Sequence, residues 1–177
     1  MATRHGGTQA TVALDAAGAQ YTLHEYVVEG VAPGKAAPAK AGPGKTGDET
    51  YGEAVAAAIG VEPDRVFKTL IANVDNELVV AVVPVVTTLD LKALATAVTG
   101  KRADLADIAL AERTTGYVVG GISPFGQRRK LRAVVDETVD LFDTVFVSAG
   151  KRGLQVEVTP ADLLRLTEAT AWPIGRQ

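Results

Sequence analysis

Cysteine is absent from the 177 residues and histidine occurs only twice. Without thiols the chain can build neither a disulfide framework nor a thiolate metal site. His5 and His24 alone do not make the usual zinc ligand set either. No uninterrupted apolar run approaches the roughly 18 residues needed to cross a bilayer. The opening MATRHGGTQA also lacks the apolar centre of a secretion signal. These absences point to a cytoplasmic protein that works without a membrane and without a metal.

What is present is ordinary for one globular domain spanning 1–177. Hydrophobic residues make up 47% and charged residues 22%, with a net charge of −3. That balance argues against a protein that coats nucleic acid nonspecifically. The basic residues are nevertheless bunched. Arg128, Arg129, Lys130 and Arg132 lie within GQRRKLR, and Lys101-Arg102 and Lys151-Arg152 form two further pairs. Such clusters are either solvated loops or a local phosphate-binding surface.

The chain alternates short strands with helices. Residues 8–18 read as a helix closed by Gly18, and YTLHEYVV as a strand rich in β-branched and aromatic residues. At 32–47, APGKAAPAKAGPGKTG cannot bury a core and reads as a flexible basic insertion. DETYGEAVAAAIG is an Ala-rich helix. RVFKTLIANV and ELVVAVVPV flank Asp75-Asn76 as a hairpin. Leu91, Leu94, Ala95 and Val98 share one helical face, closed by Gly100, and ADIALAER forms another short helix. GYVVGGISPFG, KLRAVVD and DTVFVSAGKRGLQVEV read as strands with loops. Thr159-Pro160-Ala161-Asp162 starts a last helix. Strands that follow one another directly favour an α+β fold, a mixed, mostly antiparallel, barrel-like sheet surrounded by helices.

Several familiar chemistries fail on the residues. GPGKTG lacks the leading glycine of a phosphate-binding loop, because Ala39 stands there, and neither strand nor helix flanks it. GISPF has Phe125 where a nucleophile elbow needs its second glycine. Two glycine-rich loops remain, one at Gly120-Gly121 after an apolar strand and one at Ser148–Gly150 after another. Each is either an ordinary turn or a place where a ligand approaches the backbone. Lys68 shares a strand face with Val66, Leu70 and Ala72. It either snorkels to water or points into a polar pocket.

Taken in order and spacing, VFKTL, LDLKALA, ERTTGYVVGGISPFG and VFVSAGKRGLQVEV resemble the YbaK/EbsC family of aminoacyl-tRNA deacylases, relatives of the editing domain of prolyl-tRNA synthetases. The resemblance runs from about Tyr21 to Leu166 and departs at the insertion. It implies a trans-editing enzyme that clears mischarged Cys-tRNA(Pro), and Cys-tRNA(Cys), with no cofactor. In that reading the substrate's own thiol attacks its ester. The implied partners are the acceptor end of aminoacyl-tRNA and prolyl-tRNA synthetase. The family's essential lysine falls on Lys68. Tyr26, Gly120, Gly121, Ser123, Ser148 and Gly150 fall on its substrate-facing positions. Where the family commonly has Asp after KRGL, this chain has Gln155. Two alternatives stay open: a deacylase for another small amino acid such as alanine, and an inactive tRNA- or synthetase-binding module of the same fold.

Overall fold

The computed structural model describes residues 7–28 and 47–177. His5 and the insertion, with Lys35, Lys40 and Lys45, lie outside the described residues; of that stretch only Gly47 falls within them.

Thr8 caps the first helix, α1 (Gln9–Ala16), by accepting from Thr11 N–H at 3.1 Å. Strand β1 (Thr22–Glu25) is shorter than its sequence pattern, and Tyr26 beyond it keeps one ladder-like bond, N–H to Gly153 O at 3.0 Å. Helix α2 (Gly47–Ile59) leads through a 3₁₀ turn to β2 (Phe67–Val74) and β3 (Glu77–Pro84). Asp75 (φ 49°) and Asn76 (φ 70°) are both left-handed, the geometry that a two-residue hairpin needs. Then come β4 (Thr88–Leu89), α3 (Leu91–Ala97), β5 (Ala103–Leu105) and α4 (Ile108–Thr115). The chain ends with β6 (Arg132–Asp136), β7 (Val145–Lys151), β8 (Leu154–Val158), α5 (Pro160–Thr167), β9 (Thr170–Trp172) and β10 (Gly175–Arg176).

A five-stranded sheet in the order β5-β2-β3-β6-β9 and a three-stranded sheet β1-β8-β7 form the body, with β10 and β4 as a separate pair. The β3–β6 and β6–β9 pairs are parallel and the others antiparallel, so the mixed, mostly antiparallel expectation holds. The barrel stays open. Among the described residues its two sheets meet at one bridge, Val66 to Phe146. Period-two alternation buries both faces of the large sheet. Val79, Ala81 and Val83 pack on Leu94, Ala95 and Val98 beneath α3, while Val80 and Val82 face Val147, Val156 and Leu163. Phe146 packs with Ala56 of α2, Val66 and Val85 in a smaller third cluster.

Two expectations are corrected. GYVVGGISPFG is not a strand: Gly116, Gly120 and Gly126 all have positive φ, so the segment curls through turns. Its polar groups pair locally. Tyr117 O–H, its pKa pushed up to about 12 by burial, donates to Phe125 O at 2.5 Å. The left-handed residue after α3 is Thr99 (φ 56°), not Gly100. Gly100 is small because a Cβ there would meet the side chains of Val74 and Asp75.

Polar networks fix both ends of the sheets. Asp136, 3% exposed, accepts from Ile174 N–H (3.0 Å), Gly175 N–H (2.7 Å) and Thr138, tying the last strand down. Asp136→Ala strands those buried donors and should cost about 3 kcal/mol or more, with Asp136→Asn milder; chemical denaturation measures both. On the small sheet, Glu157 lies 2.9 Å from His24 Nε2 and accepts from Thr144 Oγ1 at 2.6 Å, with Arg65 at 3.8 Å. Burial alone would raise its pKa, but the hydrogen bonds from Thr144 and His24 and the charges of His24 and Arg65 together hold it below the ordinary glutamate value. A depressed carboxyl contributes stability above its unfolded pKa and loses it as pH falls through the folded one. Glu157→Gln should therefore lower stability at neutral pH and flatten its decline on the acid side, read from denaturation midpoints across that range.

Candidate active site

Between the two sheets lies a cavity of 450 Å³, within the range of about 300–1,000 Å³ typical of small-ligand sites. Its walls come from four parts of the chain. Tyr51, Gly52 and Val55 of α2 form one side, and Val66 with Phe67–Ile71 of β2 another. Leu105, Ile108 and Ala111, with the Val119-Gly120 turn, form a third. Ser148 and Gln155, opposite each other on β7 and β8, with Arg152 from the hairpin between them, close the fourth. Leu105 and Ile108 are exposed, which makes the mouth an apolar lip.

Lys68 sits in the wall formed by β2, paired across the hairpin with Val83. Its strand is fixed on both edges, by β3 throughout and by β5 at its far end. The amine therefore springs from rigid backbone, as a positioned charge requires. Beside it Thr69 contributes a buried hydroxyl with no partner among the described residues. Opposite, Ser148 Oγ accepts from Gly150 N–H at 3.2 Å, which leaves its own proton to donate. Gln155 is only 6% exposed and its Oε1 has no hydrogen-bond partner among the described residues. A buried amide oxygen left unpaired is costly, and a donor on a bound molecule would offset that cost.

The positions carried by the resemblance thus divide. Lys68, Gly120, Ser148 and Gln155 line one cavity. Tyr26 does not, but its hydroxyl lies 3.2 Å from that of Tyr51, which does. Gly121, Ser123 and Gly150 also stand back from the cavity. The Gly121 N–H is spent on Val118 O at 2.9 Å, and a Cβ there would lie 2.9 Å from Lys151 Cα. Ser123 is fully buried and accepts from Phe125 N–H at 3.2 Å, shaping the turn from inside. Gly150 (φ 102°) lets the chain pass Tyr117 and Thr8, and its N–H goes to Ser148.

Arg152 and Tyr51 are cavity residues that sequence reasoning missed. Both lie inside stretches already singled out, the KRGL run and the Ala-rich helix, but nothing in their spacing reveals their direction. The Arg152 guanidinium lies 5.6 Å from the centre of the Tyr51 ring and donates from Nη2 to Val119 O at 2.9 Å. It passes so close over Gly120 that a Cβ there would lie 2.5 Å from Nη2. Burial and the Tyr26 hydrogen bond raise the Tyr51 pKa against the pull of Arg152, so its phenol stays protonated. Part of the remaining basic surface is already paired, Arg102 with Asp104 (3.5 Å) and Lys130 with Glu168 (2.6 Å).

Comparison with known proteins gives this geometry a family. Residues 48–166 match the aminoacyl-tRNA editing domain. The chain is 41% identical over 122 residues to EbsC of Enterococcus faecalis, provisionally named a Cys-tRNA(Pro)/Cys-tRNA(Cys) deacylase, covering 68% of this chain and 74% of that one. It is 33% identical over 121 residues to the multifunctional Ser/Thr-tRNA deacylase ProXp-y of Escherichia coli, covering 66% and 72%. The fold is shared with the crystal structure of a protein provisionally described as a trans-editing enzyme for prolyl tRNA synthetase. The TM-score is 0.75 at 22% identity, over 96% of each chain. The chain belongs to the aminoacyl-tRNA editing domain family and is an aminoacyl-tRNA deacylase.

Proposed function

We propose that the chain clears Cys-tRNA(Pro), and Cys-tRNA(Cys), in trans, and that the cysteine thiol of the substrate performs the attack on its own ester. One observation carries this reading. Among the described residues, the cavity around Lys68 offers hydroxyls, an amide and cations, but no histidine, aspartate or glutamate. A protein hydroxyl or a water would need such a base to become a nucleophile at neutral pH. A thiol is far more acidic and needs less help. Held against the ester, it gains the large advantage of an intramolecular reaction.

Lys68 then stabilises the negative charge that gathers on the ester oxygen, a cation fixed in advance where charge develops. The apolar walls hold the small side chain, and the cavity is large enough for the terminal nucleoside as well. Selectivity follows from reactivity. Cysteine and proline are too alike in size for a pocket to separate by fit alone, but proline carries no nucleophile. Such an enzyme works in the cytoplasm beside prolyl-tRNA synthetase, which makes the error. A second reading is favoured by the Escherichia coli relative named for Ser/Thr-tRNA: here the side-chain hydroxyl would replace the thiol.

A panel of Cys-, Ser-, Thr- and Ala-tRNA separates the two readings. Cysteine esters alone should be cleared at speed; equal rates on serine would replace the thiol reading with the hydroxyl one, and equal rates on alanine would remove side-chain assistance altogether. Lys68→Ala should lower kcat/KM by about 100-fold or more on whichever ester is cleared. Gln155→Asp restores the acid common in the resembled family and should raise turnover, measured beside the native protein under single-turnover conditions.

A further inference from the structure

The segment Val118–Gly121 is a β-turn closed by Gly121 N–H to Val118 O at 2.9 Å. Gly120 has φ 91° while Val119 has negative φ, which makes the turn type II. Type I and type II turns differ by a flip of the central peptide, here Val119–Gly120, with the ends left in place. The side chains around the turn determine which way that peptide faces. Val119 is gripped twice: its N–H donates to Glu112 Oε1 at 3.0 Å, and its C=O accepts from Arg152 Nη2 at 2.9 Å.

This grip has a consequence for the next amide. The peptide is trans, so the Gly120 N–H points opposite to the Val119 C=O and away from the guanidinium. The N–H groups on either side are used, Val119 by Glu112 and Gly121 by Val118, whereas Gly120 N–H has no acceptor among the described residues. Gly120 lines the cavity that holds Lys68. A cation on the carbonyl end of an amide also polarises its N–H and strengthens it as a donor.

We infer that Arg152 is a positioning residue that holds the Val119–Gly120 peptide in one of its two orientations, with Glu112 anchoring the preceding Val118–Val119 peptide, so that Gly120 N–H is presented to the ester oxygen of a bound aminoacyl end. Tyr51 braces the guanidinium from α2, and the missing Cβ of Gly120 gives it room. The inference rests on the deacylase reading of this cavity for its catalytic part, and on the turn alone for its structural part.

The test uses the intact protein in two measurements. Kinetics on Cys-tRNA(Pro) should show kcat lowered about 10- to 100-fold in Arg152→Gln and in Glu112→Ala, with KM changed less than about threefold. Glu112→Gln keeps an acceptor for Val119 N–H and should recover most of the loss seen in Glu112→Ala. The double variant Arg152→Gln/Glu112→Ala should be little worse than its weaker parent, because both side chains hold the same residue. In ¹⁵N-glycine-labelled protein, the Gly120 amide should shift and exchange faster with solvent in Arg152→Gln. A raised KM with unchanged kcat would mean that Arg152 grips the substrate itself and would overturn the inference. So would an unchanged kcat, or a Gly120 amide indifferent to Arg152. If Arg152→Gln does not fold, the Glu112 pair and the Gly120 amide in Glu112→Ala decide the question. A native protein inactive on every cysteine ester, with Gly120 still responding to Arg152, would instead sink the thiol reading and leave the turn mechanism standing.

Discussion

The bridge between Val66 and Phe146 is the contact on which the rest of the site depends. It is the point where the five-stranded and three-stranded sheets touch, and from there they diverge. Lys68 follows two residues along β2, and Ser148 two residues along β7. Parallel bridging at 66 and 146 therefore brings those two side chains onto facing walls of one cleft. Phe146 is locked beneath the Arg65 guanidinium at 5.1 Å and against the His24 ring at 5.2 Å, so the bridge is packed from both edges. Both bridge residues belong to one small apolar cluster with Ala56 and Val85, and Val66 and Val85 also line the cavity.

A cleft built this way separates binding from chemistry. Most of its walls are aliphatic, which suits a small side chain and a nucleoside but discriminates weakly among amino acids of similar volume. The polar groups are few, and four of them come from rigid strands, Lys68 and Thr69 on β2, Ser148 on β7 and Gln155 on β8, with Tyr51 added from α2 and Arg152 from the β7–β8 turn. In such a site the donors can be aimed before the substrate arrives, and little reorganisation is needed as charge develops. In the proposed mechanism, discrimination falls to the reactivity of the substrate rather than to the closeness of its fit.

Much of this was legible in residue patterns, and what escaped was long-range. Asp75-Asn76 between two β-rich flanks marks the hairpin because those residues tolerate the left-handed turn it needs. Thr159 followed by Pro160 marks the start of α5, where the threonine accepts from Asp162 N–H at 3.2 Å. The unbroken apolar run of ELVVAVVP belongs to a strand buried on both faces. The location of Lys68 on β2 follows from local sequence, but its facing a cleft is set by which strands meet. The apolar residues Tyr117–Val119 suggest a strand leading into the glycine loop, but the positive φ of Gly116 and Gly120 turns the chain there instead. Arg152 escaped for a different reason: its partners, Val119 and Tyr51, lie 33 and 101 positions away.

The two glycine motifs, which look independent in sequence, form one packing unit. Gly121 has no side chain because the hairpin backbone at Lys151 lies where its Cβ would be, and Gly120 has none because the guanidinium of Arg152 passes over it. The GGISP and GKRGL stretches are thus fitted to each other, and neither glycine needs a ligand to account for it. This alters what their joint presence means. A glycine pair kept for ligand approach would be indifferent to residue 152, whereas on this packing Gly120 is coupled to the Arg152 side chain and Gly121 to the hairpin backbone, which stays whatever side chain stands at 152. Alanine at position 120 is strained by the positive φ whatever its neighbours, and with Arg152 in place it also forces the guanidinium to move. The coupling between the two positions, rather than either one alone, is where the shape of this wall is determined.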